Sequence, residues 1–121
     1  MRCTDLLTAA ALLLLPATLA AQDSVPPLKQ ERPGLLAQAR VSPDSALAVA
    51  RRAVPGARVR SAELEREDGR LVYSYDMKLP GRRGIEEVQV DAMTGAVVSH
   101  EHESDADERR EQARDSAGKG H

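Results

Sequence analysis

Val88-Gln89-Val90-Asp91-Ala92-Met93-Thr94-Gly95 joins an alternating strand to a turn whose chemistry can be named residue by residue. Val88 and Val90 point to one face of an extended chain, while Glu87, Gln89 and Asp91 point to the other, the period-two pattern of a half-buried strand. Asp91 then folds its carboxylate onto backbone N–H groups two or three residues on, at Met93 and Thr94, and Gly95 takes the positive φ that closes a tight hairpin. Asp91, Thr94 and Gly95 are therefore read as turn-formers, and Asp91 as neither a catalytic nor a metal carboxylate.

Working outward, the residues from Arg58 to about His100 carry the signals of strands joined by tight turns. Leu71, Tyr73, Tyr75, Met77 and Leu79 share one parity, against Val72, Ser74, Asp76 and Lys78, which makes this the best-defined core strand. Before it, Glu67-Asp68-Gly69-Arg70 is a hairpin signal. The strand from Arg58 to Arg66 is less regular: Val59 and Leu64 differ in parity, so it holds a bulge or starts late. Pro80-Gly81-Arg82-Arg83-Gly84 makes a basic loop, followed by strands Ile85 to Asp91 and Ala96 to about His100.

Upstream, Ser42-Pro43-Asp44-Ser45 starts a helix. Ser42 caps it, Pro43 suits the first helical position, and Asp44 favours the positive end of the dipole. Ala46, Leu47, Ala50, Ala53 and Val54 form its apolar stripe, and Pro55-Gly56 ends it. Arg51 and Arg52 compensate the dipole at its carboxyl end. The expected fold class is α+β, one helix packed on a three- to four-stranded antiparallel sheet, with disordered flanks.

Residues 1–21 have the three-part build of a secretory signal peptide: Arg2, an apolar run from Leu6 to Leu15, and small residues up to Ala21. The run is too short to span a membrane, so cleavage near Ala20 or Ala21 and a periplasmic or extracellular destination are expected. Cys3 is the single cysteine and leaves with the leader, which excludes disulfides, thiolate metal sites and cysteine nucleophiles from the mature chain. Residues 22–40, with Pro26, Pro27 and Pro33, read as a linker. Within it, Leu35 and Leu36 pack on the domain either as an extended lead-in or as an added helical turn.

At the other end, residues 101–121 hold seven acidic against four basic residues, with only alanines as apolar side chains. Such a segment buries too little surface to offset its ordering entropy, so a charged, disordered tail is expected. A net charge of −2 with 2% aromatic residues gives no basic field for nucleic acid. All three histidines lie at or beyond the last strand, so no nucleophile, base and orienting group come together on a rigid frame, and an enzyme is not expected. Glu63, Glu65, Glu86 and Glu87 read as solvent-facing strand residues. His100 and His102, two apart on a strand, share a face. They offer an alternative reading as a Zn²⁺, Cu²⁺ or Ni²⁺ site of a metal-responsive accessory protein, although no third ligand is fixed by a folded element. In the leading reading no cofactor is expected.

Ala46-Leu47-Ala48-Val49-Ala50, Val54-Pro55-Gly56-Ala57, Ala62-Glu63-Leu64, Val72-Tyr73-Ser74-Tyr75 and Val88 to Gly95 occur in the order seen in PepSY domains. Residues 41–100 thus resemble a single PepSY module. The resemblance implies a helix on a small antiparallel sheet, of the kind found in propeptides of thermolysin-like secreted proteases and in many exported bacterial proteins, where protease inhibition or regulation has been proposed. No protease follows in this chain, so the expected partner is a separate extracytoplasmic protein, with metalloproteases the first candidates. Binding is expected along an exposed sheet edge or against the open sheet face, with Arg82 and Arg83 flanking the site.

Overall fold

The computed structural model describes residues 24–118; the expected signal peptide and Cys3 lie outside the described residues. In chain order come β1 (Lys29–Gln30), a short 3₁₀ turn (Leu36–Gln38), α1 (Pro43–Ala53), β2 (Arg58–Glu67), β3 (Arg70–Lys78), β4 (Ile85–Asp91), β5 (Val97–Glu103) and α2 (Asp105–Gly118). The five strands make one sheet in the order β1-β2-β3-β4-β5. β2 to β5 form an antiparallel meander, and β1 pairs parallel to β2.

The α+β class holds, but among the described residues the sheet has five strands and is mixed where three or four antiparallel strands were expected, and two α-helices stand where one was expected. β1 carries no apolar alternation; it forms because the stretch read as a linker is tied down. Lys29 and Gln30 lie beside Glu63 and Leu64, Glu31 N–H donates to the Leu64 carbonyl at 2.9 Å, and the Glu31 carboxylate accepts from Arg66 N–H at 3.1 Å. Leu35, 4% exposed, plugs the core, and the turn after it leaves Leu36 exposed. The lead-in is thus both extended and helical. α2 occupies most of the segment expected to be disordered. Ser104 caps it, its hydroxyl accepting from Asp107 N–H at 3.3 Å and donating to the Asp107 carboxylate at 2.6 Å. The lack of apolar residues shows instead in its packing: beyond Asp105 every residue whose side chain is described is exposed.

α1 begins at a Ser42 hydroxyl that accepts from Ser45 N–H and buries Ala46, Ala50 and Val54. These small side chains let the helix lie close on Leu64, Tyr73, Tyr75, Met77, Val88 and Val90. Both tyrosines keep a hydroxyl partner under the helix: Tyr73 donates to the Val41 carbonyl at 2.7 Å and Tyr75 to that of Pro43 at 3.4 Å. Burial pushes both phenols above their usual range. Asp68 and Gly69, both at positive φ, make the two-residue turn between β2 and β3. The register shifts between Val59 and Ser61, a bulge that reconciles the parities of Val59 and Leu64.

Among the described residues no helix is long and apolar enough to cross a membrane.

Candidate functional site

Sheet order decides what is left open. On one side β1, two residues long and flanked by Pro26, Pro27 and Pro33, pairs with β2 at Glu63 and Leu64. Prolines and brevity are devices that blunt an edge. On the other side β5, seven residues long, ends the sheet, and no described strand pairs with its outer side. Alternate N–H and C=O groups of β5 therefore point away from β4.

β5 is tied to β4 and to the loop before it through Glu86. Glu86, opposite His102 on β5 and Met77 on β3, is only 5% exposed. Its Oε1 meets His102 Nδ1 at 2.9 Å and Arg82 Nη1 at 3.1 Å, and its Oε2 meets His100 Nε2 at 3.1 Å. A carboxylate only accepts, so the ring nitrogens turned toward Glu86 are the ones that carry hydrogen. Burial raises the Glu86 pKa, but hydrogen bonds from His102 and His100 and the charge of Arg82 outweigh it and hold the carboxyl below its usual range. The basic loop closes on the same place. Gly84 N–H donates to Asp105 Oδ1 at 3.0 Å, and Lys78 Nζ donates to the Gly84 carbonyl at 2.8 Å. Gly84 sits at φ 83°, and a Cβ there would collide with the Glu103 carbonyl and the His102 ring.

The opposite face is acidic. Asp76, Glu87 and Glu101 stand directly opposite one another on β3, β4 and β5, flanked by Glu63, Glu65 and Glu67 on β2 and Glu103 on β5. Neutral side chains satisfy part of this charge. The Ser61 hydroxyl donates to Asp76 at 2.8 Å, that of Ser74 to Glu65 at 2.7 Å, and Gln89 Nε2 to Glu67 at 2.7 Å and Glu87 at 3.2 Å. Burial, and then the charges of Glu103, Asp76, Glu67 and Glu101, push the Glu87 pKa up to about 7.

Asp91, Thr94 and Gly95 act within the turn. Asp91 Oδ1 accepts from Met93 N–H at 2.7 Å and Thr94 N–H at 3.0 Å, the Asp91 carbonyl accepts from Gly95 N–H at 2.8 Å, and Gly95 has φ 79°. Arg82 pairs with Glu86 while remaining exposed, and Arg83 is exposed beside it. His100 and His102 do share a face, with Glu86 between them; among the described residues no three His, Cys, Asp or Glu gather as a metal-holding group. Glu86 was expected to face solvent and does not. Its parity, shared with Val88 and Val90, was the signal that places it on the covered face. The expectation for Glu63, Glu65 and Glu87 differs less, since all three lie on the outer face, half-buried.

No curated protein and no solved structure matches the chain. A family model described as "Peptidase propeptide and YPEB domain" matches residues 40–101, more than half of the 121 residues. That span runs from the residue before Val41, whose carbonyl takes the Tyr73 hydroxyl, to Glu101 on the open strand, and the chain belongs to the PepSY family.

Proposed function

We propose that this protein is a noncatalytic, exported binding and regulatory module that takes up an extended segment of another extracytoplasmic protein along β5. The observation that carries the reading is the open, seven-residue edge of β5, tied to β4 by the Glu86 cluster. An open edge offers a row of backbone donors and acceptors that a partner strand completes. The family's tie to peptidase propeptides makes secreted metalloproteases the first candidates, and the leader over 1–21 supplies the export. Arg82, held on Glu86, and Arg83, exposed beside it, flank the end of the strand and steer an acidic partner surface toward it.

The alternation of outward and inward amides gives the test. Proline is placed singly at Ser99, His100, Glu101 and His102 in mature protein beginning near Gln22, and binding to purified secreted metalloproteases of the source is measured beside thermal stability. At outward-pointing positions proline should abolish binding and leave the fold standing; at inward-pointing ones it should destabilise the β4–β5 pairing as well. Binding that survives every outward proline removes β5 as the docking edge.

A further inference from the structure

Resting on the β5 reading above, we infer that the segment taken up by this edge is cationic on alternate residues, with its Lys or Arg side chains on the sheet face opposite α1. A strand added to β5 continues each cross-strand row by one position. One such row already runs Ser61, Asp76, Glu87, Glu101 from β2 to β5, so the added residue opposite Glu101 becomes the neighbour of three successive carboxylates. The next positions on the same face lie beside Ser99 and Glu103. Directly opposed unlike charges stabilise a strand pair and like charges oppose it.

The sheet supplies little positive charge of its own at this place. Glu101 is exposed and no cation pairs with it among the described residues. Arg70 reaches Asp91 at the far end of the face, and Lys78 is engaged by the Gly84 carbonyl. Arg60, on β2, lines a hollow with Glu63, Asp76 and Glu103 of the sheet and Glu111 and Asp115 of α2, where five acids face it, and it belongs to the β2 end of the row. On the α1 side the added residues meet His100 and His102, which are already turned onto Glu86. The Glu87 pKa is raised first by burial and then by the acids around it, Glu103, Asp76, Glu67 and Glu101.

The pattern also decides against a second copy of the chain. Antiparallel self-pairing of β5 about Glu101 sets that carboxylate against itself, and pairing about His102 sets Glu101 against Glu103. Pairing about His100 sets Glu101 against Ser99 instead, and because the outer-face residues of β5 include Ser99, Glu101 and Glu103 but no Lys or Arg, no register of self-pairing brings a Lys or Arg to the row. A neutral segment leaves the row as it is, whereas a cationic one completes it.

Two eight-residue peptides test this, one alternating Thr with Lys and the other Thr with Glu, titrated into the mature protein while β5 amide shifts are followed by NMR. The Lys peptide should bind about tenfold more tightly, the attraction of a Lys opposite Glu101 set against the repulsion of a Glu there. The preference should shrink as salt is raised and reverse in Glu101→Lys; Glu101→Gln, which changes the surface least, should only abolish it. Equal affinities for the two peptides overturn the charge inference and leave the edge reading intact. If neither peptide binds while metalloprotease binding stays sensitive to outward prolines, the charge inference fails alone. If that binding is insensitive to proline as well, the edge reading falls with it. A concentration-dependent dimer that protects β5 amides in the free protein overturns the inference in favour of a second copy.

Discussion

Glu86 and Glu87 are neighbours in the chain, yet the sheet sends them to opposite faces and opposite electrostatic surroundings. Glu86 lies on the α1 side among two imidazoles and a guanidinium, and its pKa falls. Glu87 lies half-buried on the outer side, and burial first, then the carboxylates around it, push its pKa up to about 7. A single peptide unit separates a carboxylate that holds the fold together from one that works against it. The α1 side therefore carries the folding free energy, and the outer side keeps a charge pattern that folding alone does not ask for.

The largest effect should come from emptying the α1 side. Tyr73 is fully buried, lies 6.3 Å from Tyr75 between ring centroids and donates to the Val41 carbonyl. Tyr73→Ala should cost about 3 kcal/mol, a large share of what so small a domain has. The check is a denaturant titration, where the midpoint should fall sharply; a midpoint unchanged from wild type would detach the tyrosine from the core.

Next comes the carboxylate on the same side. Glu86→Gln keeps the shape but removes the charge that His100, His102 and Arg82 converge on, and should cost about 2 kcal/mol at neutral pH. Because the folded pKa lies below the usual 4.5, the stabilisation is present above 4.5 and is lost as pH falls through the folded value. The variant should therefore differ from wild type at pH 7 and converge with it in strong acid. A constant difference across the acid range would show that packing, not charge, accounts for the loss.

The parities that separate these faces were legible in advance for β3 and β4, because Leu71, Tyr73, Tyr75 and Met77, and Val88 and Val90, recur at every second residue, with Val72 the one apolar residue of the other parity in that run. Ser42, Pro43 and the alanine stripe likewise place α1 from local chemistry alone. β1 was not legible, since Lys29 and Gln30 owe their strand to Glu31 and Leu35, whose partners lie more than thirty residues away in sequence for Glu31 and Arg66. The Glu86 cluster was half legible. His100 and His102 stood out as a pair, but their opposition to Val88 and Glu86 depends on an irregularity between Gln89 and Val90 that no local pattern announces. In α2, a caps-and-propensity argument outweighed the composition argument for disorder: Ser104 and Asp107 suffice to start a helix that buries almost nothing.

The smallest effect, and the one that most sharpens the contrast between the faces, should come from Glu87→Gln. A folded pKa of about 7 against an unfolded 4.5 means that, between these values, the folded chain binds a proton that the unfolded chain has released. Stability then falls as pH rises from 4.5 to 7, and above 7 the full cost is in place. Removing the charge should therefore stabilise the protein above pH 7, by about 1 kcal/mol once screening of this half-exposed group is discounted, and leave stability below 4.5 nearly unchanged. The sign is opposite to that of Glu86→Gln, and the active window lies above 4.5 where the Glu86 window lies below it. Melting temperatures of wild type and variant at pH 4.5, 6 and 8 read the difference directly. A gain that grows with pH shows that the half-buried, acid-flanked charge of Glu87 costs stability; a loss at pH 8 would mean that the Gln89 hydrogen bond to Glu87 matters more than burial and repulsion together, and that the outer face is tuned for stability after all.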